Sequence, residues 1–151
     1  MKSKWTRTKN ILLLILIVVL LWVSIIIVPY FIHNTPKFTL RKNYQGITSN
    51  DSKTLSQCSI FDFDIQKNAT EHKEYLIFSS KMNLSQEELE EELYLIKKLD
   101  REKFDYLGTK DIVKYKVGVY IDTTLLSQPQ STVTLIKNNF DKDKFKWVMV
   151  P

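Results

Sequence analysis

Asp62 and Asp64 stand two residues apart within Ser59–Gln66, SIFDFDIQ, and no other spacing in the chain offers as much chemical material. On a strand, residues i and i+2 project to the same face, so two carboxylates there could share a divalent cation or divide the acid and base roles of a hydrolysis. The alternation also has a plainer reading, with Phe61, Phe63 and Ile65 on the buried side of a half-buried strand and the aspartates on its solvated side. The plainer reading sets our expectation, because nothing nearby completes a site. His72 falls in a polar turn with Glu71, Lys73 and Glu74. His33, the other of the two histidines, adjoins a long apolar run, so a zinc site using both would need distant segments to meet. Cys58 is the sole cysteine and excludes an internal disulfide. It is either a buried, inert thiol or one able to bridge two copies. No G-x-S-x-G, H-E-x-x-H, P-loop, Rossmann glycine pattern or C-x-x-C occurs, and three glycines leave little for phosphate-cradling loops. We therefore expect no catalytic, cofactor-binding or metal-ligating residue, no cofactor, and a protein that is not an enzyme.

What positions these residues begins with Ile11–Val28, ILLLILIVVLLWVSIIIV, in which Ser24 is the only polar side chain. At 1.5 Å per residue the run spans roughly 27 Å, close to a hydrocarbon core of about 30 Å. Pro29, Tyr30 and Phe31 mark its expected outer end. Lys2, Lys4, Arg7 and Lys9 precede it without an acid, which by the positive-inside bias holds residues 1–10 in the cytoplasm. VSIIIVPYFIHN presents no A-x-A, so we expect an uncleaved signal-anchor rather than a removed leader. A net charge of +5 is of the sign that attracts a polyanionic partner. Four of the 22 basic residues lie in that tail, however, and all 17 acids lie beyond it, so the outer part is near neutral. Nucleic acid is thereby excluded as the expected partner, and anionic inner-leaflet lipid accounts for the tail.

Residues 29–57 are polar, with Pro36, Gly46 and the cluster Thr48-Ser49-Asn50-Asp51-Ser52, and read as an extracytoplasmic linker with a short strand at Phe38–Leu40. Residues 58–151 form the expected domain, large enough for one modest core. Alternation predicts strands at Ser59–Gln66, Glu74–Ser79, Ile112–Ile121, Thr132–Lys137 and Phe145–Val150. Ser85-Gln86-Glu87-Glu88 reads as a capping box opening a helix that runs to Leu99 or Lys103, with Leu89, Leu93, Ile96 and Leu99 as its apolar stripe. Glu87, Glu88, Glu90, Glu91 and Glu92 load the start of that helix and read as a solvated face complementing its dipole. Val133, Leu135, Trp147 and Met149 read as core of the last hairpin. The expected fold is α+β: one transmembrane helix, then a small antiparallel sheet of about five strands covered by one amphipathic helix.

Lys, Ile and Asn are abundant and Ala69 is the only alanine, a bias expected of an AT-rich, bacterial genome. The expected function is that of a single-pass protein of the cell membrane whose extracytoplasmic domain binds or scaffolds, as an accessory subunit of an envelope assembly, with the lipid bilayer and a membrane or envelope protein as partners. The alternatives are a structural subunit and an envelope hydrolase using Asp62 and Asp64. A basic leader, an apolar helix and a C-terminal sheet domain resemble the layout of pilin-like filament subunits. That resemblance covers architecture only: no Gly or Ala processing site precedes the run, no Glu sits early in it, and Pro29 and Pro36 interrupt the helix such subunits need.

Overall fold

The structure, a computed structural model, describes residues 2–62, 74–121 and 130–150. The apolar run lies in one helix, α1 (Lys2–His33), which continues through Pro29 instead of ending there. A proline in a helix loses one backbone hydrogen bond, and α1 closes one turn later, at His33. Arg7–His33 are 27 residues, long and apolar enough to cross a membrane, and none of the most apolar window is packed inside the protein. The lone polar group in the run, the Ser24 hydroxyl, donates to the Leu20 carbonyl at 2.8 Å and so asks nothing of its surroundings. α1 forms one compact unit with the residues up to His33, and Asn34–Pro151 form a second.

The second unit starts well before residue 58, and the segment read as linker is helical. α2 (Pro36–Ser49) replaces the expected strand at Phe38–Leu40, and α3 (Ser52–Cys58) follows it. The reason lies in the residues that signalled a loop. Thr35 caps α2 by accepting from the Phe38 amide at 3.3 Å, and Pro36 takes the first helical position. Asn50, left-handed at φ 55°, ends α2, while the Asp51 amide donates to the Gly46 carbonyl at 2.9 Å. The Asp51 carboxylate then caps α3, accepting from the Thr54 amide at 3.1 Å and its hydroxyl at 2.6 Å. At Gly46 a Cβ would come within 3.0 Å of the Leu55 side chain, so the absence of one lets α3 fold closely onto α2.

Four strands form one antiparallel sheet in sequence order: β1 (Glu74–Lys81), β2 (Ile112–Ile121), β3 (Gln130–Lys137) and β4 (Trp147–Val150). Where the expected strand at Ser59–Gln66 is described it makes a single parallel bridge, Ser59 to Met149, and residues 63–66 lie outside the described part. Its phase is also reversed, because Ile60 is buried and Phe61 exposed. A bulge at Ile77 shifts the register of β1 against β2.

The capping box is present, with the Glu88 amide donating to the Ser85 hydroxyl at 3.2 Å and the Ser85 amide to the Glu88 carboxylate at 2.7 Å. It opens α4 (Gln86–Leu99), which stops at Asp100. The Asp100 carboxylate accepts from the Lys103 amide at 3.0 Å and caps a short α5 (Arg101–Phe104). Helices pack on both faces of the sheet. The alternating apolar face of Tyr115, Val117, Val119 and Leu135, with Trp147 and Met149 beside it, packs against Leu40 and Tyr44 of α2. Ile96 of α4 and Phe104 of α5 join Ile60, Leu107, Ile112, Ile136 and Val148 on the other face. The sheet face that looked polar in sequence is therefore the one α4 covers, and the face expected to receive α4 receives the supposed linker.

Candidate functional site

The structure places Asp62 just past the Ser59 bridge, with its carboxylate 2.7 Å from the Lys144 amine. Lys144 is the buried member of that pair, its side chain 6% exposed against 87% for Asp62, and it also donates to the Ser56 carbonyl at 2.9 Å. The hydrogen bond and charge of Lys144 hold the Asp62 carboxyl below its ordinary value. Lys103 reaches the neighbouring Ile60 carbonyl at 3.2 Å and lies 4.4 Å from the Phe140 ring centre. Two lysines thus staple residues 59–62 to the body of the domain, and Asp62 serves that attachment. Asp64 and His72 lie outside the described residues, and His33 ends α1. Among the described residues no group of three His, Cys, Asp or Glu side chains is placed to hold a metal ion.

Cys58 is fully buried between α3 and the rest of the domain, and burial pushes its thiol up to about 12. A thiol so placed is protonated at neutral pH and out of reach of a second copy. The glutamate block is not wholly solvated. Glu92, on the sheet side of α4, pairs with Lys114 of β2 and accepts from the Thr134 hydroxyl of β3 at 3.1 Å. This charged contact docks α4 on the sheet and gives Lys114, one of the two lysines that interrupt β2, a partner.

The loop from β3 to β4 is built around Asn138, a residue that motif reasoning passed over. Its buried amide donates to the carbonyls of Asp141 at 2.6 Å and Phe145 at 3.1 Å, while its oxygen accepts from the amides of Phe140 and Asp141. Asn followed by a polar stretch between two strands is the only sequence signal for it. The role is structural, since every polar atom of the side chain is committed within the loop.

Among the described residues, two surfaces beside β1 are open to recognition. One is an apolar patch on the α4 side of the sheet beyond the reach of α4: Tyr75, Phe78 and Tyr120, with Ile77 at the bulge, each between 40% and 48% exposed. Tyr75 and Tyr120 lie across the strands with ring centres 6.2 Å apart, and Phe78 lies over Gly118, where a Cβ would fall 2.1 Å from the ring. Only glycine lets the ring lie flat there. The other is an open groove of about 480 Å³ between α2 and β1, lined by Arg41, Tyr44, Gln45, Thr48, Glu74 and Leu76. Burial, and after it the charge of Glu74, raises the Tyr44 hydroxyl above its ordinary value, so it remains a neutral donor at the groove floor. No family model, curated protein or solved structure proved similar to this chain.

Proposed function

We propose that the chain is a single-pass membrane-anchored protein whose C-terminal α+β domain is a binding or scaffolding module on the extracytoplasmic side, acting as an accessory subunit of an envelope assembly. The observation that carries this reading is α1, a helix of membrane-spanning length whose most apolar stretch is exposed along its whole length. Burying the seventeen apolar side chains of Ile11–Val28 in lipid is worth far more than leaving them in water, at about 25 cal/mol per Å² of apolar surface. The run carries no charged residue and no GxxxG, so it serves neither as an ion path nor as a strong helix-pairing motif. The basic residues at 2–9 favour a cytoplasmic N-terminus and hence a domain outside. In that domain Asp62 is held in an ion pair, and the open features of the described residues include an apolar patch and a groove, which suit recognition by a protein.

The test has two arms. Alkaline carbonate should leave the protein in the membrane pellet, and a tag after Pro151 should be reached by protease only from the outer side. Cross-linking in native membranes should then capture a neighbouring protein with the domain. Release by carbonate, or a tag reached only from the cytosol, would end this reading. Replacing Asp62 and Asp64 by Asn should leave the cellular phenotype unchanged, and a loss would favour the hydrolase.

A further inference from the structure

We propose that the chain pairs with a second copy of itself through β1, edge to edge and antiparallel, about a two-fold axis between Ile77 and Phe78. This goes beyond the anchor reading and stands or falls apart from it.

The two edges of the sheet are finished differently. On β4 the Trp147 carbonyl accepts from the Thr39 hydroxyl at 2.7 Å and the Met149 carbonyl from the Ile60 amide at 3.1 Å. Strand addition is thereby blocked. On β1, among the described residues, only the Glu74 carbonyl is served, by the Thr48 hydroxyl. The Met82 amide donates to the Lys114 carbonyl at 2.8 Å, so alternation turns the backbone of Ser80 and Phe78 toward β2 and that of Ser79 and Lys81 outward.

Reversed against itself, the strand EYLIFSSK sets its one acid opposite its one base and its two central apolar residues opposite each other. With the axis between Ile77 and Phe78, Glu74 of each copy meets Lys81 of the other, Leu76 meets Ser79, and Tyr75 meets Ser80. The faces agree as well. Lys81 pairs across the sheet with Tyr115 and Leu76 with Val119, both on the α2 side, and Glu74 shares the face of Leu76, so an axis perpendicular to the sheet keeps acid and base on one face. The bulge at Ile77 falls beside the axis and is opposed by its own image. On the other face the two patches of Tyr75, Ile77 and Phe78 merge into one. Such a contact is isologous and closes at two copies.

The test uses the full chain in native membranes, made as a mixture of isotope-labelled and unlabelled copies and treated with a carbodiimide that couples carboxylates to amines in contact. The expected product is a dimer in which Glu74 of one copy is joined to Lys81 of a differently labelled copy. Glu74→Lys or Lys81→Glu alone turns two opposite-charge pairs into two like-charge pairs and should weaken the dimer about tenfold, while the double reversal restores it. Ser79→Pro removes an outward amide from an edge strand, where proline is tolerated, and should abolish the dimer. Should Ser79→Pro also unfold the domain, the charge reversals, which lie outside the core, still decide. A chain that stays monomeric, a dimer indifferent to the single reversals, a double reversal without rescue, or Lys81 coupled to another protein or to residues 63–73 of its own chain would each overturn the proposal.

Discussion

Leu40→Ala decides whether residues 36–58 belong to the core. Leu40 is fully buried, packed in the cluster of Tyr44, Tyr115, Val117, Val119 and Leu135. Truncating a leucine in such surroundings costs about 2–5 kcal/mol, the transfer term plus that of the cavity left behind. The neighbours are strand residues fixed by their ladder, so the cavity cannot collapse readily, and a loss of about 3–4 kcal/mol is expected. Against a total of roughly 5–15 kcal/mol for a domain of this size, that lowers the melting temperature by about 10–20 °C. The assay is urea unfolding of the full-length protein in micelles, followed by near-UV circular dichroism, which reports the packing of Trp147 and the tyrosines. Leu99→Ala is the matched control: Leu99 is 53% exposed at the end of α4, and its truncation should cost less than about 0.5 kcal/mol. If the two substitutions prove equivalent, α2 is not part of the core and the segment is the linker its composition suggests.

Glu92→Ala and Lys114→Ala should each cost about 1–2 kcal/mol, since each leaves a partly buried charge without its partner. The double substitution should cost clearly less than their sum, and additive losses would show that the pair does not dock α4. The carboxyls of Asp51, Glu88 and Asp62 all sit below their ordinary values, held by the Thr54 hydroxyl, the Ser85 amide and the Lys144 amine respectively. A depressed folded value stabilises above the unfolded one and is lost as pH falls through the folded one. The melting temperature should therefore be level from neutral pH to about 5 and decline below about 4. The triple substitution Asp51→Asn, Glu88→Gln, Asp62→Asn should flatten that decline, and an equally steep profile would refute the assignment. Cys58 should resist maleimide at pH 8 in the folded protein and react once urea unfolds it; prompt labelling of the native chain would contradict its burial.

Features closed within a few residues were legible in the sequence. The capping box at Ser85 and Glu88 needs only its own helix, and the strand at Ile112–Ile121 shows its alternation without help. Segment 36–58 was misread because cap residues and loop residues are the same types. Thr35-Pro36 and Asn50-Asp51 start and stop helices as readily as they make turns. Leu40, Tyr44 and Ile47 at i, i+4 and i+7, followed by Leu55 and Cys58, carried the helical period within a polar stretch. The phase of residues 59–62 was misread for a different reason. It is fixed by a hydrogen bond to Met149, ninety residues on in sequence, and by the lysines at 103 and 144, none of which a local window contains.

The partition of helices between the faces of the sheet follows from one charged contact. Lys114 and Lys116 make their side of β2 look solvated, and α4 is the only helix with an evident apolar stripe, so pattern alone sends α4 to the Val113–Val119 side. Lys114 reverses this by pairing with Glu92, which brings the stripe of α4 down over Ile112, Ile136 and Val148. The opposite face then has to be covered by something, and α2 is the only remaining described helix with three apolar residues on one side. α4 reaches only the Ile112 end of its face, which leaves Tyr75, Phe78 and Tyr120 exposed beside the edge that, among the described residues, no side chain seals past Glu74. The open strand and the open patch are thus two consequences of the same short helix, and a partner that pairs with β1 meets both at once.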